Sequence, residues 1–175
     1  MGLELLAPAR NAEQGILALR CGADAVYMGG ARFGARQAAG NGPADFERLA
    51  SEARLWDAKV YATINTILFD EELEAARHLA WELHEAGVDA LIVQDMALLE
   101  LDLPPLPLFA STQAVCDGPE KVAFLAGAGF SRAILARELD LADIRAIHAA
   151  ADIELEAFVF GALCVGESGR CYLSG

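Results

Sequence analysis

The stretch Cys21-Gly22-Ala23-Asp24-Ala25-Val26-Tyr27-Met28-Gly29-Gly30 holds a helix end, a turn and a strand in direct succession. Gly22 closes the Ala- and Leu-rich segment Ala12 to Cys21, at the position where a left-handed residue ends a helix with least strain. Asp24 precedes the apolar run Ala25 to Met28, and Gly29-Gly30 stops it. The same order returns at Ala86-Gly87-Val88-Asp89, ahead of Ala90 to Val93, and at Ala128-Gly129-Phe130-Ser131, ahead of Arg132 to Ala136. Three such helix-Gly-x-(Asp/Ser)-strand junctions describe repeated β-α units with short connections.

Working outward, further apolar runs occur at Leu3 to Ala7, Lys59 to Ile64, Leu108 to Ala110 and Leu155 to Val159. They are nearly continuous rather than alternating, the pattern of parallel strands covered on both faces. Helical periodicity fills most of the gaps: Ala12 to Cys21, Asp45 to Asp57, Asp70 to Ala86, Pro119 to Ala128 and Asp140 to Ala151. The unit after the fourth strand is compressed, because Met96 to Leu101 leaves room for one short helix before Pro104 and Pro105 break it. The fold class expected is α/β, a TIM-like (β/α) barrel of about seven strands over a single domain, 1–175, without its eighth strand. A doubly wound sheet is the competing architecture. An open barrel exposes an edge strand, so the sequence is expected to be the N-terminal part of a longer protein, or to close against another copy.

Acidic residues outnumber basic ones 26 to 13, a formal charge of -13. That balance disfavours a polyanion spread over the surface and leaves room only for a local basic site. The N-terminus lacks the basic and apolar regions of a secretory signal, and no apolar run is long enough to span a membrane. A cytoplasmic location is expected.

In a barrel the chemistry belongs where strands end. Polar residues gather there: Arg10-Asn11, Asn65, Gln94-Asp95, Ser111-Thr112-Gln113 and Arg137-Glu138. Asn11, Asp95 and Ser111 have helix capping as an equally good role. Arg36, Asn65, Thr112, Gln113, Arg137 and Glu138 are the candidates for binding a substrate, an anionic small molecule in the first instance. Arg137 offers a rigid fork suited to carboxylate or phosphate, with an internal ion pair to Glu138 as the alternative. The glycine-rich loop from Arg32 to Asn41 carries two arginines and reads as an anion-contacting lid. No catalytic residue is identified: His78, His84 and His148 fall inside helical segments, and no serine elbow or Cys-x-x-Cys pair occurs. Cys21 reads as a packed small hydrophobe, and Cys116 is ambiguous. Cys164 and Cys171 share one loop on the functional side, where a disulfide, two buried thiols and half of a four-thiolate metal site all remain open.

Several segments together resemble the U32 family, historically labelled peptidases or collagenase-like proteases. They are Glu4 to Ala9, Gly22 to Gly30, Ser111 to Ala114, Leu135 to Leu139, Glu156 to Phe158, Gly161 to Cys164 and Ser168 to Ser174. The resemblance implies an N-terminal barrel followed by sequence that supplies two more cysteines. It implies an iron-sulfur cluster, 4Fe-4S in kind, with Cys164 and Cys171 as the first two ligands and no stable cluster on this chain alone. It implies oxygen-independent hydroxylation of a quinone precursor, as in ubiquinone biosynthesis, or of RNA. A peptidase hydrolase is the alternative, and a partner-binding barrel that works with a second family member or as a homo-oligomer is a third. One departure stands out: Phe160 occupies the place of a histidine found before the glycine in many members, and its ring neither titrates nor coordinates. The acidic balance weighs against RNA unless the basic surface lies elsewhere.

Overall fold

The computed structural model describes residues 2–34, 40–161 and 166–170. Seven strands form one sheet: β1 (Leu6–Ala9), β2 (Ala25–Gly29), β3 (Lys59–Ile64), β4 (Ala90–Val93), β5 (Leu108–Ala110), β6 (Arg132–Ile134) and β7 (Glu154–Glu156). Every adjacent pair is parallel and the spatial order is the chain order, β1 through β7. A doubly wound sheet requires a reversal of strand order, and none occurs here. The sheet also curls on itself: Glu4, just before β1, reaches Arg132 on β6 at 2.6 Å. The architecture is a TIM-like (β/α) barrel of seven strands.

Five helices connect them: α1 (Ala12–Arg20), α2 (Pro43–Arg54), α3 (Leu73–Glu85), α4 (Pro119–Ala128) and α5 (Leu141–Ala150). Between β4 and β5 only the 3-10 turn Met96–Glu100 intervenes, as the prolines require. Two cores explain the continuous apolar strands. Val26, Met28, Val60, Ala62, Ile64, Leu91 and Val93 face outward and belong to one buried cluster with Ile16, Leu19, Phe46, Leu49 and Leu83 of the helices. Ala25, Tyr61, Ala90, Ile92, Phe109 and Ile134 alternate with them and fill the barrel interior. At Gly15 of α1 a Cβ would come within 2.7 Å of the Leu49 side chain, so the missing side chain is what lets α1 settle against α2.

The repeated junction has a structural purpose. Gly22, Gly87 and Gly129 adopt φ of 100°, 87° and 111°, the left-handed conformation anticipated for them. The polar residue two positions later then stitches the bottom edge of the sheet. Asp24 Oδ2 accepts from the Leu5 amide at 2.7 Å, and Asp89 Oδ2 accepts from the Val60 amide at 2.7 Å. Ser131 Oγ donates to the Leu108 carbonyl at 3.2 Å.

Three local expectations shift. β1 begins at Leu6 rather than Leu3, because Glu4 turns inward to Arg132 while Leu3 and Leu5 remain exposed. β7 stops at Glu156, whose carbonyl accepts from the Leu135 amide, and Val159 and Phe160 stand in solvent. Cys21 is exposed, not packed, because it caps α1 where the chain turns away from the core.

Candidate functional site

At the C-terminal ends of the strands a cavity of ≈ 480 Å³ opens, lined by residues of every strand or the loop that follows it. Its wall is apolar where Tyr27, Ile92, Ile134 and Phe158 contribute, and polar where Arg10, Gln14, Thr63, Asn65, Ser111, Thr112, Gln113 and Glu156 do. Of the six candidates for substrate binding, Asn65, Thr112 and Gln113 line this cavity, as do Arg10 and Ser111 of the polar strand ends. Asn65 Nδ2 donates to Ser111 Oγ at 3.2 Å, and its backbone amide donates to the Phe33 carbonyl. Asn11, Asp95 and Ser111 all take up the capping role, accepting from the amides of Gln14, Ala97 and Gln113 respectively.

Arg137 and Glu138 do not line the cavity; they hold the loop that precedes Cys171. Arg137 Nε donates to Ser168 Oγ at 3.3 Å, and its Nη2 donates to the Gly166 carbonyl at 3.2 Å. Glu138 Oε1 accepts from the Ser168 amide at 2.8 Å. Burial opposes the charge of that carboxylate, but the bonds from Ser168 outweigh it and hold its pKa below the ordinary value. Both side chains thus act on one segment rather than pairing with each other. Ser168 is itself buried, at 2% exposure, which makes it the anchor of the segment. Arg36, Cys164 and Cys171 lie outside the described residues. Asn41 is buried, and its Nδ2 donates to the carbonyls of Arg10 and Gly29, tying that residue to the mouth.

Below the cavity sits a charged cluster that the sequence reading missed. Arg132, on β6 inside the barrel, donates from Nη1 to Glu4 and from Nε and Nη2 to Glu154 Oε2 at 3.0 and 2.8 Å. Its guanidinium stacks 4.3 Å from the Phe109 ring and 5.4 Å from that of Tyr61. The Tyr61 hydroxyl donates to Glu4 Oε2 at 2.8 Å, and burial together with that carboxylate pushes the phenol well above its usual range. Burial works against the Arg132 charge, yet the bonds to Glu4 and Glu154 leave the guanidinium held above its ordinary value. One cation therefore serves three carboxylates. The third, Glu156, comes only to 3.5 Å of Arg132 Nη1, and its buried Oε2 makes no hydrogen bond among the described residues. Burial pushes its carboxyl up to about 7, with Arg132 offsetting only part of the effect.

That shift has a sign that can be measured. Between the ordinary value of 4.5 and about 7, the folded protein holds a proton that the unfolded chain has released. Glu156 accordingly contributes stability that is complete below the unfolded value and is lost as pH rises through about 7. Glu156→Gln removes the titration. In urea unfolding of the full-length protein, wild type should lose about 3 kcal/mol relative to this variant between acid and mildly alkaline pH. A difference independent of pH would mean that the carboxyl is not raised.

The described residues do not by themselves make a cluster site. No group of three or more His, Cys, Asp or Glu among them is arranged to hold a metal. Cys116 is fully buried, and burial pushes its thiol up to about 11, the state of a packed hydrophobe rather than a ligand. Among the described residues, no helix is long and apolar enough to cross a membrane.

The model of peptidase family U32 matches residues 10–175. The 23S rRNA 5-hydroxycytidine C2501 synthase of Escherichia coli is 54% identical over 98% of the chain, which spans 26% of that protein. The tRNA hydroxylation protein P1 of Bacillus subtilis is 36% identical over 98% of the chain, which spans 42% of it. Among solved structures, the U32 peptidase Mk0906 superposes with a TM-score of 0.75 at 18% identity, covering 89% of this chain and 68% of that one. At that identity the superposition speaks for the fold alone. The chain spans a quarter to two fifths of these two hydroxylation relatives.

Proposed function

The chain belongs to peptidase family U32, and from that premise we propose that it forms the barrel of an RNA-hydroxylating protein acting on a ribosomal RNA pyrimidine. The observation that carries this reading is the 54% identity to the rRNA 5-hydroxycytidine synthase, sustained over 98% of the chain. The cavity is consistent with it and gives a hydrolase little to work with. Among the described lining residues there is no histidine and no cysteine, and the Ser111 oxygen already accepts two hydrogen bonds, from Asn65 and Gln113. A peptidase of the nucleophile-histidine kind needs a base within hydrogen-bond reach of its nucleophile.

On the family resemblance, we further propose that Cys164 and Cys171 are two of four thiolates of an iron-sulfur cluster. The remaining two would come from sequence outside this chain. Such a cluster, when bound, supplies one-electron chemistry. This chain's own contribution is to fix the loop, through Arg137, Glu138 and Ser168, beside the barrel mouth.

The test is nucleoside mass spectrometry on ribosomal and transfer RNA from a host lacking its own hydroxycytidine synthase. Expressing the full-length protein should restore one oxygen on a ribosomal cytidine. Cys164→Ala and Cys171→Ala should abolish that product and the bound iron of protein prepared without oxygen. Absence of any hydroxylated nucleoside, with peptide hydrolysis in its place, would sink the reading.

A further inference from the structure

We propose that the cavity at the barrel mouth takes a single pyrimidine nucleotide turned out of its RNA strand, its base toward Glu156 and its phosphate toward Arg10. The inference rests on the RNA-hydroxylation reading and names the site where that chemistry would occur. Proteins that modify a base must free it from its stacked neighbours and enclose it in a pocket. A cavity of ≈ 480 Å³ suits one nucleoside; it is not an extended groove of the kind that binds a peptide strand.

The lining supplies what each part of such a nucleotide needs. Tyr27, Ile92, Ile134 and Phe158 offer aromatic and aliphatic surface for a flat ring. Glu156 lines the cavity with a carboxyl that Arg132 satisfies only in part: Oε2 is enclosed 3.5 Å from Arg132 Nη1 and makes no hydrogen bond among the described residues. The cytosine edge matches it: its amino group donates, as it commonly does to Glu, while the adjacent ring nitrogen accepts. Because burial raises the carboxyl to about 7, its protonated form is available at neutral pH to donate to that nitrogen. At the mouth, no carboxylate among the described residues pairs with the exposed Arg10 guanidinium, and phosphate is a natural partner for that fork. The acidic balance of the chain, -13, gives no general attraction for RNA. Local contacts of this kind must therefore supply the recognition that this domain contributes.

Calorimetric titration of the full-length protein with cytidine 5'-monophosphate, cytidine and adenosine 5'-monophosphate tests the proposal. Cytidine monophosphate should bind at least about tenfold more tightly than adenosine monophosphate. Arg10→Ala should weaken the cytidine monophosphate complex by about tenfold and leave cytidine unchanged. Glu156→Ala should weaken both cytidine ligands to that extent, and Glu156→Gln, whose amide presents one acceptor and one donor, should restore them. Failure of wild type to bind cytidine monophosphate, unaltered affinity in Glu156→Ala, or equal losses for cytidine and its phosphate in Arg10→Ala would each overturn it. The parent reading fails separately. If wild type hydroxylates RNA and Glu156→Ala hydroxylates it equally well, the pocket is wrong and the reading stands. If the nucleotide titrations behave as expected but no RNA nucleoside gains oxygen, the pocket stands and the reading falls.

Discussion

Arg132→Met should destabilise the protein by roughly 3 to 5 kcal/mol, the scale for removing one partner of a buried ionic cluster. Arg132 is 8% exposed and is the cation that Glu4, Glu154 and Glu156 share. Methionine keeps much of the contact with Phe109 and Tyr61 but strands the carboxylates below the cavity. The size of the loss depends on which of them is left. Glu154 is half-exposed and can return to water, so Glu154→Gln alone should change stability by no more than about 1 kcal/mol. Glu4 and Glu156 are more deeply placed, and without Arg132 the second would be raised further still. Denaturant unfolding of the full-length variants gives the ranking directly. A loss for Arg132→Met no larger than that for Glu154→Gln would mean the cluster is a surface network and not a brace across the barrel. Because Glu4 precedes β1 while Arg132 lies on β6, the same experiment asks whether that contact helps to hold the curl of the sheet.

The barrel was legible because its signals repeat. Each Gly-x-(Asp/Ser) junction announces a helix end and a strand start, and β3, β4 and β5 fall on the residues read from their apolar runs. Strand ends were legible as places, and Asn65, Thr112 and Gln113 line the cavity at the mouth. What could not be read was which charged residues lie inside. Arg132, Glu154 and Glu156 sit in runs short enough to pass for strand flanks, and the reading assigned charge to the mouth instead. A signal was present: Arg132 with Ile134, and Glu154 with Glu156, share strand faces at period two. Its meaning depends on Glu4, which is 128 residues away from Arg132 in the chain. Arg137 and Glu138 show the opposite case. Their position at a strand end was evident, but their partner Ser168 could be found only in three dimensions.

Gly169→Ala should release the segment around Ser168 from the barrel. Gly169 adopts φ of 77°, and a Cβ there would collide with the Val115 side chain and come within 3.0 Å of the Gln113 carbonyl oxygen. A left-handed alanine costs about 1 to 2 kcal/mol and a forced contact about 1 to 3 more. The surrounding structure cannot easily give way. Val115 is itself left-handed, at φ of 57°, and Gln113 follows the end of β5 on the mouth. The core does not have to absorb that strain, however, because a short surface segment can detach at lower cost. Global stability should therefore fall by less than the local sum of roughly 2 to 5 kcal/mol, while the bonds from Arg137 and to Glu138 are lost together. Hydrogen exchange at the Ser168 amide, which Glu138 accepts at 2.8 Å, reports the detachment. Since this segment lies between Cys164 and Cys171, iron retained by oxygen-free, full-length protein should fall with it. The control is Ser168→Ala, which removes the Arg137 bond to Ser168 Oγ but keeps the one to the Gly166 carbonyl, and should loosen the segment less. If Gly169→Ala keeps wild-type protection at Ser168, the close approach to Val115 does not position the loop. If protection is lost but iron loading is unaffected, the two cysteines do not depend on this anchor for whatever they bind.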